Sequence, residues 1–366
     1  MDSRISQEQR SVRSTLSWDQ SSMPTSTRNL KPLSVKYIQA NNLSEALSVD
    51  AAHQMVVIGY GHGQLPSLSG QGLSIEVNLP ALIQPPLVEV WESPAPVLRD
   101  QVEGIQLAFT DDVVFGCLEI KEQTGNLLEV VARDAYAQIF NYCTQSGFSN
   151  LLRMWNYFPG INTDQNGLER YKQFCVGRHQ AFSAYQKEFT STLPAASAVG
   201  TSDGLFQVLF LAGKHPGNPL ENPRQISAYE YPPIYGPNSP SFARAMLYPT
   251  GRMGGQLFVA GTASIVGHAT QHQDDPAEQT VETLSNIHAI LKRAQHEDQE
   301  SWETEVSEGL MKVFVRHEKD LPAVRGVLED HMLGKASIHY VLGEMCRKDL
   351  LVEIEGMWNL FVLPKS

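Results

Sequence analysis

A chain of 366 residues, 42% hydrophobic and 19% charged, carries enough apolar material for one large domain or two smaller ones. Its 28 Lys and Arg against 40 Asp and Glu leave a formal charge of -12, a balance that excludes nucleic acid and anionic membranes as partners and requires any site for an anionic small molecule to concentrate arginine locally. Cys117, Cys143, Cys175 and Cys346 form no CxxC pair and fit no zinc ribbon or finger, so they read as reduced thiols of a cytoplasmic protein, and no stretch approaches the ~20 apolar residues of a membrane span.

Residues 1–33, rich in Ser, Gln and Arg and without the apolar segment of a secretory signal, read as a mobile tail. Patterning begins at Ser34. Gln54–Tyr60 (QMVVIGY) is a continuous apolar run of strand length. The GYGHG at its end is no phosphate loop, because it runs on into LPSLSGQG and opens no helix. Ser74–Asn78 and Val88–Trp91 read as short strands, set apart by Pro80, Pro85 and Pro86. Gly104–Phe109 and Val113–Ile120 follow as a strand pair. Leu127–Gly147 is a helix with Val131, Ala135 and Ile139 on one face and Gly147 at its stop. A strand at Leu151–Phe158, a helix at Gly167–Tyr185 and a closing strand at Gly204–Gly213 complete the set. The order then recurs. Strands span Gly254–Gly267, a helix spans Ala277–Ala294 with Val281, Leu284, Ile287 and Leu291 inward, and a strand (Leu310–Arg316), a helix (Asp320–Met332) and a closing strand (Asp349–Asn359) follow. The acidic run His296–Glu305 reads as a solvated connection.

Strand, strand, helix, strand, helix, strand thus appears twice, roughly 150 residues apart. The expectation is an α+β fold with a tail (1–33), an N-terminal unit (34–245) and a C-terminal unit (246–366), each a mixed sheet packed on two helices.

The second half resembles the Rid (YjgF-type) imine deaminases in LFVAG, EQTVETLSNIHAILKRA and RKDLLVEIEG. From about Val35 onward the chain resembles the chorismatase family more specifically, through RMWNYFPGIN (Arg153–Asn162), LERYKQFCVGRHQAF (Leu168–Phe182), GTASIVGH (Gly261–His268) and CRKDLLVEIEG (Cys346–Gly356). The resemblance implies two fused Rid/YjgF-like (chorismate-mutase-like) units and an enzyme that cleaves chorismate with release of pyruvate. It leaves three product branches: 3-hydroxybenzoate, the 3,4-dihydroxycyclohexa-1,5-diene carboxylate, or a mixture of 3- and 4-hydroxybenzoate. A Rid-type imine deaminase and a non-catalytic binder are the competing readings, and the 366-residue fused form and the RMWNYFPGIN segment speak against the first. A monomer and a small homo-oligomer are equally compatible.

The residues carry matching chemistry. A vinyl ether is hydrolysed by protonation of its terminal methylene carbon, which needs a positioned acid, and the resulting cation needs a nearby negative group. On a strand, Leu351, Glu353 and Glu355 share one face and Val352 and Ile354 the other. Apolar neighbours there raise a carboxyl pKa. The closing strand of the first unit, QVLFLAG, has no acid, so one catalytic carboxylate site per chain is expected. By resemblance Glu353 is the general acid, Glu355 is second, Cys346 supports capture of the cation by the substrate's own 4-hydroxyl, and Gly261 leaves room for it. Arg153, Arg170, Arg178 and Arg244 are candidates for the two substrate carboxylates, because guanidinium binds carboxylate bidentately. Tyr157, Tyr171, Tyr229 and Tyr231, and more weakly Asn156 and Asn162, are candidate hydrogen-bonding partners. His268 and His272, with Asp274 and Asp275 behind, have i,i+4 spacing but lie in loop-like sequence, so no metal is assigned, and redox-neutral ether cleavage implies no cofactor.

Overall fold

The computed structural model describes residues 30–43, 51–61, 63, 65, 73–123, 125, 127–186, 189–250, 254–296, 302–306, 308–332 and 336–364. The expected tail, apart from residues 30–33, and most of the Gly/Pro/Ser-rich loop 61–72 lie outside them. Strands β1 (Ser34–Gln39), β2 (Gln54–Tyr60), β3 (Leu73–Val77) and β4 (Leu87–Glu92) form a sheet of order β1-β4-β2-β3. The seven residues of β2 are buried throughout, as its unbroken apolar run requires.

Next come β5 (Leu98–Val102), β6 (Ile105–Phe109), β7 (Val113–Ile120), α1 (Leu128–Ser146), β8 (Asn150–Pro159), the small ribbon β9 (Asp164–Gln165) and β10 (Leu168–Glu169), α2 (Arg170–Tyr185), β11 (Ala195–Thr201) and β12 (Phe206–Gly213). They build a six-stranded sheet of order β11-β8-β12-β7-β6-β5. The last part contains β13 (Asn218–Leu220), β14 (Ala245–Pro249), β15 (Gly254–Ala263), the ribbon β16 (Ile265–Val266) and β17 (Ala269–Thr270), α3 (Pro276–His296), β18 (Trp302–Val306), β19 (Gly309–Val315), α4 (Leu321–Met332), β20 (Ala336–Leu342) and β21 (Val352–Pro364). Their sheet has the order β13-β14-β15-β21-β19-β20, with β18 added along β21.

The two larger sheets repeat one topology. In each, one outer strand runs parallel to its neighbour (β11 on β8, β20 on β19) and every other pairing on the path is antiparallel. The expected repeat therefore gains, among other strands, a parallel outer strand between the second helix and the closing strand of each copy. Neither β11 (AASAVGT) nor β20 (ASIHYVL) has a long apolar run, and pairing with a buried neighbour supplies what local pattern does not. By sheet membership the repeats cover 98–213 and 218–364, while 34–92 forms a sheet of its own. The acidic connection also differs from expectation: Trp302–Val306 is a strand paired with Leu360–Pro364.

Helix α1 buries Val131, Ala135 and Ile139 and ends where Gly147 turns left-handed (φ 81°). In α3 the buried face is Leu284, Ile287, Ile290 and Ala294, with Val281 and Leu291 at its edge. Expected to start at Gly167, α2 begins at Arg170, because Leu168 and Glu169 pair with β9. Helices cover the outer faces of both large sheets. Inner-face residues of all three sheets, among them Ile58, Trp91, Trp155, Leu209, Phe258 and Met357, share one core. No helix among the described residues is long and apolar enough to cross a membrane.

Helices α1 and α2 meet closely at Gly177, where a Cβ would stand 2.0 Å from the Glu129 carbonyl oxygen. Gly177→Ala must push α1 and α2 apart and should cost about 2–3 kcal/mol in urea unfolding, the usual range for overpacking. Unchanged stability would mean that the helices are not seated on each other there.

Candidate active site

Strand β21 presents Glu353 and Glu355 toward the shared core, while Val352, Ile354 and Trp358 pack under the helices. Leu351 precedes the strand and joins the helix-side cluster instead of the glutamate face. Both carboxylates are buried, at 4% exposure each, but their surroundings differ. Glu355 accepts four hydrogen bonds. Arg153 Nη2 and Ser197 Oγ donate to Oε2 at 2.6 and 2.5 Å, and Trp155 Nε1 and Lys312 Nζ donate to Oε1 at 3.0 Å each. Burial alone would raise its pKa, but Lys312 and Arg153, with the bonds from Ser197 and Lys312, hold it below the ordinary carboxylate value. Glu353 stands two residues earlier with no such partners. Burial and the charge of Glu355 lift it to about 8 against the weaker pull of Arg153, Arg316 and Arg244. One side chain is thus a fixed carboxylate and its neighbour a neutral acid at physiological pH.

Local backbone makes this possible. Between Val259 and Thr262, β15 carries a bulge in its pairing with β21. The bulge turns the Gly261 N–H out of the ladder to donate to Ser197 Oγ at 2.9 Å. A Cβ on Gly261 would lie 2.1 Å from Glu353 Oε1, so the space that glycine leaves is filled by the acid itself.

Glu353 borders a cavity of about 290 Å³ whose wall includes Tyr171, Tyr231, Arg244, Gly261, Cys346 and Arg347. Two guanidinium groups line it. Arg244, 5% exposed, donates Nη2 to Tyr231 Oη (2.7 Å) and to the Ile226 carbonyl (3.0 Å), and its buried Nε has no partner. Arg347 donates Nη1 to the His268 carbonyl (2.9 Å) and Thr270 Oγ1 (3.2 Å) and lies 4.0 Å from the Tyr235 ring centroid. Lys172 and Lys348 also line the cavity. Such a wall suits a small anion with apolar ring surface. The Cys346 thiol is pushed up to about 12 by burial and by Glu353, and the Tyr171 hydroxyl hydrogen-bonds to it. It is a neutral thiol, not a thiolate nucleophile. The loop that carries Cys346 and Arg347 is strapped down by Arg316, which donates to the carbonyls of Met345, Arg347 and Leu350 (3.2, 2.7 and 2.7 Å) and to Asn162 Oδ1 (3.2 Å).

The residues singled out in the sequence divide into three groups. Glu353, Cys346, Tyr171, Tyr231, Arg244 and Gly261 meet at the cavity. Glu355 and Arg153 lie behind it in the buried network, and Asn156 holds the Ser197 carbonyl (2.9 Å) on the same strand as Arg153. The others stand elsewhere. Tyr157 is buried in the shared core, and Tyr229 packs on the helix-side cluster of the first repeat. Arg170 pairs with Glu122 at 2.7 Å and braces the β9–β10 turn through Gln165. Arg178 is buried among the rings of Tyr136, Phe174 and Phe182, its Nε and Nη2 without partners. Its spacing of eight from Arg170 does not bring the two to one ligand, because the helix buries one end and leaves the other at a turn. His268 contacts Tyr235 and His272 contacts Glu282, and no three metal-capable side chains converge among the described residues. Sequence reasoning missed Lys312, Glu89, Ser197, Arg347 and Arg316. A signal existed for two: Lys312 interrupts the apolar strand LMKVFVR, and Arg347 stands inside CRKDLLVEIEG. Glu89 and Ser197 carry none, because their partners are distant in sequence.

Residues 89–212 match the family described as chorismatase FkbO/Hyg5-like, N-terminal. A 3-hydroxybenzoate synthase of Streptomyces hygroscopicus is 36% identical over 304 residues, which cover 80% of this chain and 88% of that protein. A chorismatase of Streptomyces rapamycinicus is 35% identical over 275 residues, 74% of this chain and 81% of its own. A chorismatase crystal structure superposes with a TM-score of 0.79 at 31% identity, covering 90% of this chain and 99% of that one.

Arg316→Ala would leave the Met345 and Leu350 carbonyls and Asn162 Oδ1 without this donor, and the Arg347 carbonyl with only the Leu350 N–H (3.3 Å). It should cost about 2–3 kcal/mol and raise amide hydrogen exchange selectively over residues 345–350. Uniform exchange across the chain would show that Arg316 does not hold this loop.

Proposed function

The chain belongs to the chorismatase family, and we propose that it cleaves chorismate to pyruvate and 3-hydroxybenzoate with Glu353 as the general acid. The observation that carries this reading is the opposite ionisation of two carboxylates on one strand face, the neutral one bordering the cavity. Chorismate is a dianion with an enol ether. Arg244 and Arg347, the guanidinium groups of the cavity wall, take its carboxylates. Glu353 gives its proton to the terminal methylene carbon, and the positive charge forms on the ether carbon. The carboxylate then left on Glu353, with Glu355 behind it, stabilises that charge.

In the internal route the ring 4-hydroxyl adds to the cationic carbon. The C4–O bond then breaks as C3 loses its hydrogen as a proton, and the ring becomes aromatic. The remaining hemiketal separates into 3-hydroxybenzoate and pyruvate. Protons balance across these steps and no water is consumed. Water in place of the 4-hydroxyl would give the dihydroxycyclohexadiene carboxylate. Cys346 favours the internal route: its neutral thiol occupies the wall beside Glu353 and offers an incoming water neither a base nor a strong hydrogen bond. A cytoplasmic location goes with this reading, since the four cysteines are free thiols.

Glu353→Gln keeps shape but has no proton to give. Its kcat should fall about 10²–10⁴-fold while equilibrium binding of chorismate persists, and near-normal turnover would place the acid elsewhere. Because the active form is the protonated one, kcat/KM should be level below the pKa of about 8 and fall about tenfold per pH unit above it. Cys346→Ala opens space beside the acid, so chromatography should show product moving from 3-hydroxybenzoate toward the diene diol. An unchanged ratio would reduce Cys346 to packing.

A further inference from the structure

The four-stranded sheet of residues 34–92 lies outside both repeats, yet it delivers one charged side chain to the buried network. Glu89, on β4 and 3% exposed, pairs with Lys312 Nζ through Oε2 at 2.9 Å. Its remaining capacity is filled from its own sheet, by Tyr60 Oη on Oε2 (2.6 Å) and Trp91 Nε1 on Oε1 (2.7 Å). Lys312 bridges from Glu89 to Glu355 Oε1 (3.0 Å), and its ammonium lies 4.7 Å from the Tyr60 ring centroid. The enclosed charges are two and two: Arg153 and Lys312 against Glu89 and Glu355.

The other titratable groups of the network do not alter that balance. Tyr37 on β1, Tyr60 on β2 and Tyr157 on β8 have their hydroxyls pushed up by burial and stay neutral. His339 on β20 is held neutral by burial and by Lys312, at about 3. The charges that act most strongly on Glu353 are Glu355, Arg153, Arg316 and Arg244; Arg347, Lys348 and Asp349 share its cavity wall, and the neutral Cys346 thiol lies beside it. With Arg153 and Lys312 matched by Glu89 and Glu355, ionising Glu353 would add a third buried carboxylate that Arg316 and Arg244 offset only in part.

We propose that Glu89 is a positioning residue of the reaction: by taking up half of the Lys312 charge, it leaves Glu355 incompletely neutralised and thereby keeps the proton on Glu353. The four-stranded sheet is then part of the catalytic apparatus, although it contributes nothing to the wall of the cavity beside Glu353. The inference rests on Glu353 being the acid, so its test includes a readout that does not depend on turnover.

In Glu89→Gln the side-chain size is kept and the charge removed. Lys312 then gives its whole charge to Glu355, and repulsion of an ionised Glu353 weakens. The infrared band of the protonated Glu353 carboxyl, identified as the one lost in Glu353→Gln, is titrated without substrate, and the alkaline limb of kcat/KM is measured in parallel. Both should move to lower pH by about one unit. In Glu89→Gln/Lys312→Gln, which removes both members of the pair, both should return toward the parent value. If the band stays in place in a folded Glu89→Gln protein, or if the double variant remains displaced as far as the single one, the proposal is overturned. A moved band with an unmoved kinetic limb would support the role of Glu89 in proton affinity and overturn Glu353 as the acid. Should Glu89→Gln not fold, Lys312→Gln carries the test with opposite sign, moving the band upward, and an unmoved band sinks the idea.

Discussion

Glu355 is a buried carboxylate that four donors hold ionised, and the arrangement of the molecule follows from that pairing. A charge removed from water must be matched at close range, and loss of either partner leaves a large uncompensated penalty. Here the partners come from different sheets: Arg153 and Ser197 from the six-stranded one, Lys312 from the strand beside Glu355 in the seven-stranded one. Lys312 then reaches Glu89 in the four-stranded sheet. The three sheets are thus registered against one another by short polar contacts inside an otherwise apolar core.

The contrasting ionisation of Glu353 follows from the same pairing. Donors that satisfy Glu355 are not available to Glu353, which shares its strand face and feels its charge. Separation of two neighbouring carboxyl groups into an acid and a fixed anion marks acid–base sites generally, and here geometry accounts for each assignment. Gly261 contributes by absence: a bulge brings its backbone to Ser197, and the missing Cβ is the volume that the Glu353 carboxyl occupies.

The repeated topology is the frame of a composite site to which the two units contribute differently. The inner face of β12, the strand that closes the first repeat, carries Leu209 and Leu211, whereas β21 carries Glu353 and Glu355. The first repeat instead supplies Arg153, Trp155 and Ser197 to Glu355 and Tyr171 to the cavity. The second unit holds the acid with Glu355, Lys312, Arg244 and Arg316, and the first completes the set with Arg153, Trp155 and Ser197.

Much of this was legible in the chain itself. Alternation in LLVEIEG put both glutamates on one face, the 3.6-residue pattern marked the first and third helices, and the repeated element order announced two units, because these are local regularities that a packed core imposes on neighbouring positions. The family resemblance carried the substrate class, along with Cys346 and Gly261. Tertiary structure decided the rest. The strands β11 and β20 have no pattern of their own and exist through their partners. Arg170 and Arg178 share a helix with Tyr171, yet only Tyr171 reaches the cavity, since the neighbouring turn claims one guanidinium and the aromatic cluster encloses the other. Which glutamate keeps its proton depends on Lys312, Arg153, Ser197 and Glu89, residues 43 to 266 positions from Glu355 in the chain. Ionisation in a buried site is set by charges within a few ångströms, and only the fold determines which side chains those are.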